Sequence, residues 1–167
     1  FSLATIIPHF PWIKQIHEMG DALMGFVLLF PAIGAVSMML LTGNLIQRFG
    51  SKRFVLLGGI LMQFCIPLIL LVPSITLLAL ILLIFGGATG MMDIAMNTQA
   101  ARIENIFQRP IMSSFHAVFS LGTLLGGGLT SLLLELGWDP IEHTTMMAIF
   151  ILILVITCGP WLIKKEK

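Results

Sequence analysis

Long apolar runs almost free of charge alternate along this chain with short polar gaps. No Asp, Glu, Lys or Arg occurs between Asp21 and Arg48, between Arg53 and Asp93, between Arg109 and Glu135, or between Glu142 and Lys164. A helix rising about 1.5 Å per residue needs roughly 20 apolar residues to cross about 30 Å of hydrocarbon, so three of these runs each predict one membrane span. The run after Arg53 is about twice that length and must fold back once. Pro73-Ser74 is the turn-forming pair near its middle. The pattern therefore predicts helices over 22–46, 53–72, 75–100, 110–134 and 144–163, preceded by an apolar segment at 1–13 that is too short to cross alone. That segment reads as the remainder of a first span whose beginning lies before Phe1. With it restored, residues 1–167 form a single transmembrane unit of six spans joined by short loops, which makes consecutive helices antiparallel neighbours.

Composition supports a membrane protein. Hydrophobic residues make up 57% and charged residues 10% of the chain, and the mean hydropathy is +1.03. A soluble domain carries about 25% charge. The net charge of +1 gives no reason to expect a nucleic-acid partner, and the informative quantity is where the charges sit. Arg48, Lys52 and Arg53 fall around the gap 47–52, Arg102 and Arg109 in the gap 101–109, and Lys164, Lys165 and Lys167 in the tail 164–167. Only Lys14, of nine Lys and Arg, lies on the other side of the predicted bundle. Basic residues near span ends are retained in the cytoplasm, so this bias predicts a multi-pass protein with both ends of the segment cytoplasmic. Cys65 and Cys158 fall inside different spans, where a free thiol behaves as a small apolar group, and no disulfide is expected.

The gap after the second span reads Gly43-Asn44-Leu45-Ile46-Gln47-Arg48-Phe49-Gly50-Ser51-Lys52-Arg53. It resembles the signature loop between helices two and three of the major facilitator superfamily, G-x-L-a-D-R-x-G-R-K, at Gly43, Leu45, Arg48, Gly50 and Lys52. In physical terms Gly50 permits a tight reversal, Gly43 allows the second helix to pack closely, and the basic cluster anchors the cytoplasmic edge. Gln47 departs from the family's Asp, which implies a gate braced more weakly or by neutral hydrogen bonds.

Asp93 is the most costly residue in the chain. It lies nine residues before Arg102, which at 1.5 Å each is roughly 13 Å from the cytoplasmic boundary and close to the midplane of the bilayer. A central Asp costs about 2.5–3.5 kcal/mol to insert, so it should face the bundle or a wet cavity. Thr89, Asp93 and Asn97 recur every four residues and share one helix face. Ser113, His116 and Ser120 form a matching stripe on the next helix, beside Gly122, Gly126, Gly127 and Gly128. If the two helices run antiparallel, Asn97 matches His116 in depth and Asp93 matches Ser120. Gly86-x-x-x-Gly90 and the later glycines allow close backbone approach between helices.

The segments Gly90-Met91-Met92-Asp93-Ile94-Ala95-Met96-Asn97-Thr98-Gln99 and Arg109-Pro110-Ile111-Met112-Ser113-Ser114-Phe115-His116 are similar to bacterial major facilitator transporters related to the fucose:proton symporters. What the resemblance implies is an all-α membrane protein of the bacterial inner membrane: the N-terminal half of a twelve-helix transporter, a 3+3 inverted repeat whose first helix is truncated here and whose C-terminal six-helix half is missing. It implies proton coupling at Asp93, with a small polar solute such as a sugar and a proton as partners in alternating access. The acid that those symporters carry on helix one has no match in residues 1–13.

A carboxyl group in a low-dielectric cavity has its charged form disfavoured, which suits it to load and release a proton on each cycle. His116 suits proton transfer or solute binding. Asn97, Gln99, Ser120 and Thr89 offer hydrogen bonds to a solute, and His9, between Pro8 and Pro11, sits on a segment that cannot be a regular helix. Gly43, Arg48, Gly50 and Lys52 are the gating-loop residues. The sequence has no His-Glu-x-x-His, paired Cys or Walker-type motif, and no cofactor or metal is expected. Ser113 and His116 share a helix rather than the separate elements of a membrane serine protease, so the reading is not an enzyme. The alternative to a carrier is a transporter-like sensor or scaffold.

Overall fold

The computed structural model describes residues 1–164, and Lys165 and Lys167 of the predicted basic tail lie outside them. Among the described residues eight α-helices are present: α1 Ser2–Ile6, α2 Phe10–Ile16, α3 Asp21–Val27, α4 Leu29–Phe49, α5 Ser51–Leu71, α6 Ile75–Phe107, α7 Met112–Glu135 and α8 Pro140–Cys158. Taken through the break at Leu28, α3 and α4 form one long apolar segment, so five segments are long and apolar enough to cross a membrane.

Several predicted boundaries move, each for a local reason. The helix expected over 22–46 breaks at Leu28, because Pro31 has no N–H to bond the Val27 carbonyl one turn back. The predicted gap 47–52 contracts to Gly50 alone. Its φ of 83° and ψ of 147° reverse the chain in a region open only to glycine. Helix α6 continues through most of the predicted gap 101–109 and ends at Gln108 in the left-handed conformation. Beyond it, Glu104 Oε2 accepts from the Ile111 and Met112 amides at 3.0 and 2.9 Å, capping the start of α7. Helix α8 starts at Pro140 rather than 144, since Asp139 caps it by accepting from the Ile141 and Glu142 amides. It stops at Cys158 and tightens into a 3-10 turn over Gly159–Trp161. The first segment runs as α1, a 3-10 turn over Ile7–His9, and α2. Pro8 and Pro11 account for its irregularity.

Helices α5 and α6 form the centre. Within their apolar windows 56% and 50% of residues are buried, against 17%, 11% and 17% for the α3–α4, α7 and α8 segments. The outer helices expose rows of Leu, Ile, Val and Phe, as a lipid-facing surface requires. Chain neighbours are not always the main partners. Helix α6 packs between α4 and α5, α8 lies along α5, and α7 lies along α1 while touching α6 only sparsely. The α4–α6 seam is a backbone contact. A β-carbon on Gly34 would run into the Leu83 carbonyl, and one on Gly90 into Ala35. Small residues at these positions let two helices approach closely.

Charge divides the two ends. At one end Lys52 Nζ donates to the Pro160 carbonyl at 3.1 Å, and Gln99 Nε2 donates to Ser51 Oγ and to the Ile163 carbonyl, both at 2.9 Å. This basic end gathers the α4–α5 turn, the lower part of α6 and the segment after α8. The opposite, acidic end carries Asp21, paired with Lys14, and Asp139 at the cap of α8.

Candidate functional site

Two cavities meet at Asp93. The smaller, about 230 Å³, lies between α6 and α7 and is lined by Asp93, Met96, Asn97, Phe115 and His116 among others. The larger, about 430 Å³, lies on the other side of the same stretch of α6 and includes Ser2, Met39, Gln63, Thr89, Met92 and Asp93. Asp93, Met96 and Phe119 belong to both walls. The half-buried Asp93 carboxyl has no hydrogen-bonding partner among the described residues and forms part of both cavity walls.

The sparse contact between α6 and α7 is what opens the smaller cavity. Glu104 fixes where α7 begins, and α7 then leans toward α1, where a β-carbon on Gly126 would overlap Phe1. The Asp93–Asn97 stripe is left facing His116 across open space. Both walls are mostly apolar, lined by Met39, Met62, Met92 and Met96 with Phe115 and Phe119. Thioether side chains of this kind adapt to varied shapes. Few polar groups then orient whatever enters.

The stripes predicted from sequence come together only in part. Thr89, Asp93, Asn97 and His116 line the cavities, although the Thr89 hydroxyl also donates back to the Phe85 carbonyl at 2.9 Å. Three expected pathway residues do not. Gln99 is buried, and its amide is engaged by Ser51 and Ile163, with the Ile163 amide donating to its oxygen at 3.0 Å. Ser120 is exposed on α7 and lines neither cavity, so its predicted match with Asp93 is one of depth alone. His9 is fully buried and bonded to His143, away from both walls.

Of the gating-loop residues, Gly50 makes the turn and Lys52 ties α5 to Pro160. The Arg48 guanidinium lies 5.8 Å from the Phe49 ring centre. Gly43 does not serve close packing: a β-carbon there would meet nothing within 4 Å.

Sequence reasoning overlooked Gln63 and Ser2. Gln63 Nε2 donates to Ser2 Oγ at 3.1 Å and to the Gly59 carbonyl at 3.3 Å, which holds an amide in the wall of the larger cavity. The signal was available, because Gln63 is the only Asn or Gln between Arg53 and Asp93.

The whole chain, residues 1–167, matches the Major Facilitator Superfamily. It is 37% identical over 154 residues to an uncharacterized MFS-type transporter of Yersinia pestis, covering 92% of this chain and 40% of that protein. Over 124 residues it is 36% identical to an uncharacterized transporter, y4wD, of Sinorhizobium fredii, covering 74% of this chain and 33% of the relative. It is 37% identical to the membrane protein MosC of Rhizobium meliloti, covering 74% and 30%. The chain thus spans well under half the length of these relatives. No solved structure matches it. With the family match running from end to end and apolar helices of spanning length throughout, the chain belongs to the major facilitator superfamily of membrane transporters.

Proposed function

We propose that this chain is the N-terminal, six-helix half of a secondary active transporter of the bacterial inner membrane, with its basic end in the cytoplasm, and that Asp93 couples solute movement to protons. The broken first segment, α1 and α2, is the remainder of span one in this reading, so that α1–α5 and α6–α8 comprise the two three-span halves of a 3+3 inverted repeat. A second six-helix half closes the open cavities and completes the pathway, and access alternates by rocking of the halves. Kinship with the fucose:proton symporters rests on the Asp93, Ala95 and Asn97 spacing. The solute is small and carries polar groups, as a sugar does, for Asn97, His116, Gln63 and Asp93 to bind.

One observation carries this reading: a single carboxyl group forms part of the wall of both cavities and is tied to nothing else among the described residues. A carboxyl group so placed can meet solute and proton in one aqueous space. An acid at that depth with no cycle to run would be a cost without return, which favours a carrier over a sensor or scaffold.

Uptake by the full-length protein in proteoliposomes tests it. The Asp93→Asn variant should lose accumulation driven by a pH gradient while keeping exchange of labelled for unlabelled solute. Unchanged accumulation would remove Asp93 from coupling. Solute binding with neither uptake nor exchange in the unmodified protein would select the sensor.

A further inference from the structure

His9 and His143 are both fully buried, and their Nε2 atoms meet at 3.2 Å with ring centres 4.9 Å apart. The equally buried Thr144 places Oγ1 at 3.1 Å from His9 Nε2 and 3.4 Å from His143 Nε2. The positions of the hydrogens follow from the partners. His143 Nδ1 lies 2.9 Å from the Asp139 backbone carbonyl, which can only accept, so Nδ1 carries the hydrogen and Nε2 of the neutral ring is a bare lone pair. The contact between the two Nε2 atoms then needs its hydrogen from His9. That leaves His9 Nδ1 bare, and this atom is buried with no hydrogen-bonding partner among the described residues.

The pair joins two elements distant in sequence. His9 closes the 3-10 turn between α1 and α2, and His143 stands in the first turn of α8. Residues Phe1, Ser2 and Leu3, just before that turn, line the larger cavity. The bond between the rings therefore holds in place a segment that forms part of the cavity wall.

We propose that His9 and His143 are a proton-responsive clasp: with one hydrogen shared between them they fasten the first segment to α8, and a proton taken up at His9 Nδ1 unfastens it. The added proton turns the His9 ring into a cation whose Nδ1–H has no acceptor in the closed structure. A buried charge without a partner is strongly disfavoured, and hydration of Nδ1 by movement of the segment relieves it.

The surrounding elements supply no compensating anion. On the first segment are Lys14, paired with Asp21 of α3, and His17, followed by Glu18, which is exposed. The Asp139 carboxylate caps α8, Glu142 on α8 and Glu135 at the end of α7 are exposed, and α5 contributes Cys65. Helix α6 carries no ionisable group from Ile75 to Met92.

The test uses the full-length protein in lipid nanodiscs, with native cysteines replaced and nitroxide labels at the exposed positions Ile7 and Glu142. Dipolar broadening between the labels should be strong at about pH 8 and fall by about half or more on acidification to about pH 4, acidic enough to protonate a buried imidazole with no anion beside it. The His9→Gln variant should lose most of this response, and Asp93→Asn should keep it, which separates the clasp from coupling at Asp93. Broadening in the unmodified protein that does not change with pH would overturn the proposal, whatever the variants do. So would a pH response that survives undiminished in His9→Gln.

Discussion

Gly86 of α6 lies against the backbone of Pro31 in α4, so closely that a β-carbon at position 86 would overlap the Pro31 carbonyl. The neighbouring backbone is rigid on both sides, and no flexible side chain is available to yield. The Gly86→Val variant should therefore lose about 1–3 kcal/mol of stability through overpacking, read as a lower thermal midpoint of the detergent-solubilised protein. Gly43→Ala is the matched comparison. Open space surrounds Gly43, and removing a glycine from a helix interior gains about 0.5–1 kcal/mol, so its midpoint should hold or rise. Equal losses in both variants would mean that the α4–α6 seam is not the tight contact described.

The difference between these two glycines also marks how far the sequence was legible. Lengths of uncharged runs and the turn-forming pair Pro73-Ser74 were enough to indicate five long apolar helices, though not their ends, because the cost of charge in lipid acts locally along the chain. Pro31 and the Asp139-Pro140 pair were equally local signals, and they account for the break at Leu28 and the early start of α8. Which helices pair is a different matter. That α7 turns to α1 rather than lying along α6 depends on contacts between residues more than a hundred positions apart, and no periodicity records them. The site divides the same way: the i, i+4 face of Thr89, Asp93 and Asn97 was readable, whereas Gln99, two residues past Asn97, is turned to Ser51 and Ile163.

Gln99 has become part of the frame at the basic end. Its amide nitrogen serves Ser51 and the Ile163 carbonyl, and its oxygen accepts from the Ile163 amide. Replacing it with Leu leaves buried polar atoms unpaired, at about 1–3 kcal/mol. The Gln99→Leu protein should unfold at lower temperature, yet its half-saturating solute concentration for uptake should stay within about twofold, since no cavity atom changes. A large rise in that concentration with an unchanged thermal midpoint would return Gln99 to the pathway.

His116 and Ser120 stand one helical turn apart on α7, and only His116 reaches the cavity of Asp93 and Asn97. If His116 binds the solute as proposed, loss of one hydrogen bond is worth about 0.5–1.5 kcal/mol, so His116→Ala should raise the half-saturating concentration by roughly two- to thirteenfold. Ser120→Ala should leave it unchanged. Uptake titrations of both variants at matched expression decide between the two positions, and an effect at Ser120 equal to that at His116 would contradict the cavity wall described.

Gly50 is the whole of the turn between α4 and α5. With φ at 83° and ψ at 147° it occupies backbone space that a β-carbon makes strained, at about 1–3 kcal/mol. The cost cannot be relieved locally, because Phe49 and Ser51 on either side are already helical and Ser51 is held by Gln99. A strained residue here must therefore shift α4 against α5, and with α5 the bond from Lys52 to Pro160. Gly50→Ala should lower the thermal midpoint of the full-length protein and raise the accessibility of Ser51, buried in the parent structure, to a water-soluble maleimide when that residue is replaced by Cys in a background without native cysteines. The Ser51→Cys substitution alone provides the baseline. If Gly50→Ala leaves both the midpoint and the labelling rate at that baseline, the reversal does not depend on glycine's conformational freedom.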